Sequence, residues 1–238
     1  MALALRAAST ALPVAISIAA AACGPARAGS PVPRPFPAPS DPAIDAASRA
    51  GPFPPARWSG SDFPRYLDLV EEVETGGDCF ARPAGSSAIG CYQMTRAALV
   101  DAGFKDAGGG WLDNAWGIDS DNEFQGNRRA QHAAMLRYTA QNWLTLEPCL
   151  RDLIGTTVGG VALDQAALVA GAHLLGATGL LRFVRCGLQA RCITPEAAAH
   201  NGGGRRLRAI DVRRMRAAHG LRVLASTSGS GSPCGLAG

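Results

Sequence analysis

The sequence predicts a mainly α-helical domain, with at most a very small β element, behind a proline-rich N-terminal region. Three observations carry this. From Tyr66 onward, apolar residues recur at three- and four-residue spacing, the period of one helical face. Glycine or proline stands where those runs end. Eleven of the 16 prolines precede residue 60, in a stretch with no core-forming pattern.

The elements follow in order. Residues 64–75 read as a helix: Asp62 is a candidate cap, Pro64 suits a first turn, and Tyr66, Leu69, Val70 and Val73 share a face. Gly76-Gly77 ends it, because glycine accepts the left-handed conformation of a helix terminus. Residues 92–102 read as helix, and short strands are expected near 86–89. Residues 103–126 form a glycine- and aspartate-rich loop carrying Trp111 and Trp116. Residues 127–146 are the longest helix, with Ala133, Leu136, Ala140 and Trp143 on its buried side. An alanine-rich helix over 163–175 should be central. Another covers 177–186 and is closed by Gly187, a short one covers 195–200, and a basic one 205–218. No run beyond the N-terminus reads as a membrane span.

The N-terminal region divides by composition. Arg6, the short apolar run 11–22 and the Ala26-Arg27-Ala28 cleavage pattern read as a secretory signal over 1–28. Cys23 after three alanines offers an alternative, a lipid anchor. Pro31, Pro33, Pro35, Pro37 and Pro39 make 29–62 an extended linker. The catalytic-type domain is then 63–225, and 226–238 a flexible tail. The expected location is periplasmic or secreted, or at a membrane surface through Cys23.

Export changes the meaning of the cysteines. Cys79, Cys91, Cys149, Cys186, Cys192 and Cys234 would remain after cleavage, an even set that favours disulfides. Six thiols allow about 15 pairings. Proximity favours Cys79–Cys91 and Cys186–Cys192, which leaves Cys149–Cys234 to tie the tail down.

Other chemistries are excluded or disfavoured. No C-x-x-C or H-x-x-x-H spacing provides a metal site, and no cofactor motif occurs. Asp119-x-Asp121-x-Glu123 is not a calcium loop, because Phe124 replaces the turn glycine and Ala130 the closing glutamate. The arginines between Arg205 and Arg222 form a face for an anionic polymer, not for nucleic acid, given export. The net charge of +4 is compatible with an anionic partner.

Glu74 is the candidate catalytic residue. On the helical wheel it falls between Val70 and Leu67, on the apolar side, while Asp68 and Glu72 face away. Partial burial is expected to raise its pKa and keep it protonated as a general acid. Asp78, Asp113 and Asp119 are loop candidates for a second carboxylate.

Glu74-Thr75 followed by Ser87-x-x-Gly90-x-x-Gln93-Met94 resembles the lysozyme-like fold of lytic transglycosylases, over roughly residues 63–215. Ala172-His173-Leu174-Leu175-Gly176 stands where that family has Ala-Tyr-Asn-x-Gly. The combination looks closer to a bacterial and phage peptidoglycan-hydrolase branch. The departures are His173-Leu174 and Cys91. The resemblance implies cleavage between N-acetylmuramic acid and N-acetylglucosamine, with Glu74 as single acid and base. Gly90, Tyr92, Gln93 and His173 would bind substrate. The implied partners are glycan strands of peptidoglycan and envelope or secretion machinery. The alternative is a non-catalytic domain that grips glycan or forms part of an envelope machine.

Overall fold

A computed structural model describes residues 62–200 and 203–223. The expected signal over 1–28, all of the expected linker except Asp62, and the expected tail over 226–238, with Cys23 and Cys234, lie outside the described residues. Seven α-helices and one two-stranded ladder are found among them: α1 Phe63–Thr75, α2 Arg96–Asp101, α3 Asp121–Gly126, α4 Arg128–Leu150, β1 Thr157–Val158, β2 Val161–Ala162, α5 Gln165–Arg185, α6 Pro195–His200 and α7 Gly204–Ala218. The mainly helical class expected from the periodicity is therefore the one observed.

Helices α4 and α5 share the centre. From Ala130 to Ala140 every residue of α4 is buried except His132, which is half-buried. A helix enclosed on all sides needs small residues and satisfied polar ones. The alanines supply the first. Gln131 supplies the second, donating to the carbonyls of Phe124 and Gln125 at 3.0 and 2.8 Å. Asn127 caps α4 by accepting from the Ala130 N–H at 3.0 Å. The helix runs past the expected end at Leu146 and carries Pro148 in its last turn.

Two apolar clusters flank this centre. The first joins Tyr66 and Val70 of α1 to Tyr92, Phe104, Phe124 and the N-terminal half of α4. The second joins Leu146 and Leu150 of α4 to α5, α6 and α7 through Leu168, Phe183, Leu207 and Met215. Trp143 packs against both. Trp111 and Trp116 are half-buried and lean on Phe124 and Phe104, each with ring centroids 5.3 Å apart.

Several expectations change. Residues 92–95 are not helical. Ile89 and Met94 exchange backbone hydrogen bonds of 3.1 and 3.0 Å, which closes 90–93 into a turn. Thr95 then caps α2 by accepting from Ala98 N–H at 3.2 Å. The short strands expected near 86–89 are reduced to that one bridge, and the ladder lies at 157–162 instead. Asp62 makes no capping bond; its Oδ2 accepts from the Arg222 N–H at 2.8 Å and ties the end of the domain to its start. Asp121 and Glu123 have structural partners, Lys105 Nζ at 2.8 Å and the Asp119 N–H at 2.9 Å.

By length and composition alone Gln165–Arg185 is apolar enough to cross a membrane, contrary to the sequence expectation. Its packing is that of a core helix, buried from Ala166 to Ala172. Gly176 interrupts it with φ 67° and ψ 162°, at the boundary expected between the 163–175 and 177–186 helices. That backbone region is open almost only to glycine. Nothing lies within 4 Å of an added Cβ, so Gly176→Ala tests backbone strain without a clash. We expect a loss of about 1–3 kcal/mol in urea unfolding.

The two local disulfides are formed, Cys79–Cys91 and Cys186–Cys192. Cys149 is disulfide-bonded as well. Its expected partner, Cys234, is outside the described residues.

Candidate active site

Glu74 occupies the last turn of α1. Gly76, at φ 59°, stops the helix and returns its N–H to the Glu72 carbonyl. The wheel argument holds: Leu67 and Val70 are buried, and the Glu74 side chain retains only 15 % exposure. Its neighbours come from two distant segments. His173 of α5 places Nε2 3.3 Å from Oε1, and Arg214 of α7 places Nη2 2.7 Å from the same oxygen. Both partners are more deeply buried than the glutamate, with side chains 4 % and 5 % exposed.

The imidazole Nε2 also lies 3.0 Å from the Tyr92 carbonyl. Both of its neighbours are acceptors, so Nε2 carries the proton and donates to each. Nδ1 has no partner among the described residues. The Tyr138 ring stands edge-on to the imidazole at 6.0 Å and fixes its orientation from the α4 side.

These contacts overturn the expected protonation state. Burial does push the Glu74 pKa up, and it is the largest single influence. The hydrogen bond and charge of His173, followed by those of Arg214, together outweigh it. The net pKa lies below the ordinary glutamate value, so Glu74 rests as a carboxylate. The wheel could show the apolar face. It could not show an arginine arriving 140 residues later.

The turn after α1 sits against this group. Thr75 Oγ1 donates to the carbonyls of Glu71 and Cys91, both at 3.2 Å, and the Cys79–Cys91 disulfide holds the same point. Gly90 is buried at φ 81°. An added Cβ would lie 2.5 Å from Gln131 Oε1, which accepts from the Cys91 N–H at 2.6 Å. The glycine thus admits a protein side chain where the sequence reading had it admit substrate. Gly90→Ala should cost about 2–4 kcal/mol in denaturant unfolding, from the left-handed backbone and the displaced glutamine.

Tyr92 is buried, with its hydroxyl unpartnered among the described residues and its ring 5.8 Å from His132. Gln93, at φ 47°, turns its amide into its own loop, donating to Gly90 and Ala81 carbonyls at 2.9 and 3.1 Å. Of the expected substrate-binding residues, then, His173 meets Glu74 directly. Tyr92 reaches the group through its carbonyl, while Gly90 and Gln93 brace the turn.

A second carboxylate lies one helical turn before Glu74. Glu71 is buried and ion-paired to Arg128 Nη2. Asp78, Asp113 and Asp119 are exposed, and Asp78 closes a local turn by accepting from Phe80 N–H at 3.0 Å. Glu71, Cys79 and Cys91 group closely enough to suggest a metal, but both sulfurs are joined in the disulfide and are not thiolate ligands.

Sequence reasoning missed Arg214 and, three residues before it, Asp211. Asp211 is wholly buried, and neither of its oxygens has a hydrogen-bond partner among the described residues. Burial pushes its pKa up to about 8 against the opposing pull of Arg214. A signal did exist. In the wheel of 204–218, Leu207, Asp211, Arg214, Met215 and Ala218 fall on one face, and a charged pair on an apolar stripe is unusual.

Comparison with protein-family models, with curated proteins and with solved structures returns no match, so the function of this site has to be argued from its own geometry.

Proposed function

We propose that the chain is an exported peptidoglycan glycosidase of the lytic transglycosylase type, with Glu74 as its acid and base. The observation that carries this reading is the shielded Glu74 carboxyl at a helix end, oriented by His173 and Arg214. It joins the order of motifs around Glu74, Gly90, Gln93 and Ala172–Gly176 in the sequence.

The chemistry divides into two proton transfers. In the first, protonated Glu74 gives its proton to the oxygen between N-acetylmuramic acid and N-acetylglucosamine, and that bond breaks. The substrate's acetamido group assists from the opposite side. In the second, the Glu74 carboxylate removes the proton of the muramic acid 6-hydroxyl, which closes the anhydro ring. His173 Nε2–H holds the carboxyl in place through both. The resting carboxylate is already in the form the second step needs, and the first needs prior protonation. Among the described residues Glu71 is held by Arg128, and Asp78, Asp113 and Asp119 are exposed, which favours this one-carboxylate route over a two-carboxylate hydrolysis.

The substrate is polyanionic through its peptide stems, and the chain has a surface suited to it. Between residues 177 and 223 there are nine arginines and one acid besides the buried Arg214 and Asp211. Arg205, Arg206 and Arg213 of α7 are exposed. The signal sequence and the disulfides agree with a periplasmic or secreted location, with a Cys23 lipid anchor as the alternative.

A second reading has its own observation. Glu74 is pinned by a short ion pair, and it does not line the hollow of about 270 Å³ formed by Tyr138, Asn142, Gly176 and their neighbours. That arrangement fits a domain that grips glycan strands or serves an envelope machine without cutting. Incubation of the full chain with purified sacculi separates the two. Soluble fragments ending in anhydro-muramic acid support the transglycosylase, and reducing ends indicate hydrolysis. Sedimentation with sacculi and no soluble product establishes the gripping module.

A further inference from the structure

Glu74 and Asp211 are two buried acids that flank one buried arginine, and only one of them is paired. Arg214 gives Nη2 to Glu74 at 2.7 Å. Its Nε and Nη1 have no hydrogen-bond partner among the described residues. Asp211 lies three residues earlier on the same helix, so its side chain and that of Arg214 leave α7 on one face. Both Asp211 oxygens are likewise unpartnered. Each unused donor could give a single hydrogen bond to a carboxyl, but either two-point fork of a guanidinium needs Nη2, the donor now held by Glu74. Asp211 and Arg214 are not hydrogen-bonded to each other in the structure, where Nη2 is given to Glu74.

We propose that Arg214 is a two-position counter-ion: held on Glu74 it keeps that residue a carboxylate, and swung to Asp211 it leaves Glu74 carrying the proton. This rests on the reading of Glu74 as acid and base and supplies the step that reading lacks. The exchange conserves both proton and charge. At the start Glu74 is ionised, Asp211 is protonated and Arg214 is cationic. At the end Asp211 is ionised beside Arg214, and Glu74 has bound one proton for the one Asp211 released. Glu74, Asp211 and Arg214 carry no net charge between them in either end state, so the one carboxylate of each state has the guanidinium as counter-ion. The raised pKa of Asp211 and the lowered one of Glu74 describe the first of these two states.

The surroundings leave the exchange to these three groups. From α1 the facing groups are Glu74 and Tyr66, whose hydroxyl is held un-ionised by burial and lies 3.4 Å from the Val169 carbonyl. Tyr138 of α4 stands beyond it, also raised by burial. From α5 comes His173, whose Nε2–H suits either form of Glu74, since a carboxylic acid keeps an accepting oxygen. A glycan covering Glu74 removes its remaining water and disfavours an ion there, which moves the arginine toward Asp211.

Two acids coupled through one cation titrate as a pair, and that is measurable without any substrate. Carbon-13 NMR of the side-chain carboxyls in the full chain, followed with pH, should show the Glu74 signal moving in two steps. The alkaline step should coincide with that of Asp211. In Asp211→Asn the alkaline step should vanish, and the protonated fraction of Glu74 at pH 7 should fall at least tenfold. Asp211→Glu should restore the two steps. A single Glu74 step with the same midpoint in wild type and Asp211→Asn overturns the proposal. Two coupled steps in a protein that releases nothing from sacculi uphold the exchange and reject the glycosidase.

Discussion

Glu74→Gln folds and releases no soluble fragments from sacculi: that is the expected result. Glutamine has nearly the shape of glutamate, and its Oε1 can still accept from His173 Nε2 and Arg214 Nη2. It cannot give up or take a proton at any working pH. A positioned acid or base contributes typically 10²–10⁴-fold to rate, and this residue performs both transfers in the proposed route. The loss should therefore reach the floor of a turbidity assay. Wild-type clearing by the glutamine variant, at matched protein concentration, rejects Glu74 as the acting group.

The same substitution predicts a pH signature in stability. The folded Glu74 pKa lies below its ordinary value, so its ion pairs stabilise the protein above the ordinary glutamate range. That contribution disappears as pH falls through the folded value. Acid unfolding of the wild type should accordingly lose a component that Glu74→Gln does not show. The variant should still fold near neutrality, because Asp211 remains on the same helix as a counter-charge for Arg214.

Asp211→Asn carries the second large effect, and its sign is opposite. The folded pKa of Asp211 is raised, to about 8, by complete burial. Below the ordinary aspartate range both folded and unfolded chains hold the proton, and the residue imposes no penalty. Between that range and pH 8 the unfolded chain ionises freely while the folded one does not. Folding then loses about 1.4 kcal/mol for each pH unit. Removing the ionisable group removes this slope. Asp211→Asn should match or trail the wild type at pH 4 and exceed it by several kcal/mol at pH 8. Urea midpoints at the two pH values decide the matter. Parallel losses for both proteins between pH 4 and 8 would show that Asp211 ionises without cost, in contradiction of its burial.

The two effects share one cause. A buried arginine with two acids nearby can satisfy only one of them fully, and whichever acid it leaves must be neutral. Stability at neutral pH and readiness of Glu74 are set by the same guanidinium. Selection for stability alone would replace Asp211 with an apolar side chain of similar size.

The helices were largely legible in the sequence, for a local reason. Residues 64–75, 195–200 and 205–218 carry their own period and stops, and the observed α1, α6 and α7 agree within a residue. Gly176 was readable too, since a glycine between two apolar runs marks a break. The stretch 92–102 was misread because its apolar spacing suits a helix, while a disulfide, a backbone bridge and Gln93 at φ 47° hold its beginning as a turn. Those constraints act across the chain and leave no local period.

By itself, then, the sequence determined the helical class and the placing of Glu74 on the apolar side of its helix, and it favoured the two short-range disulfides, because all of these depend on neighbours a few residues away. Only the tertiary structure decided what Glu74 meets: His173 and Arg214, 99 and 140 positions downstream, reach it because α5 and α7 pack beside α1. A carboxyl's charge depends on the balance between lost water and gained partners. Burial could be inferred from the local pattern between Leu67 and Glu74, and the partners could not.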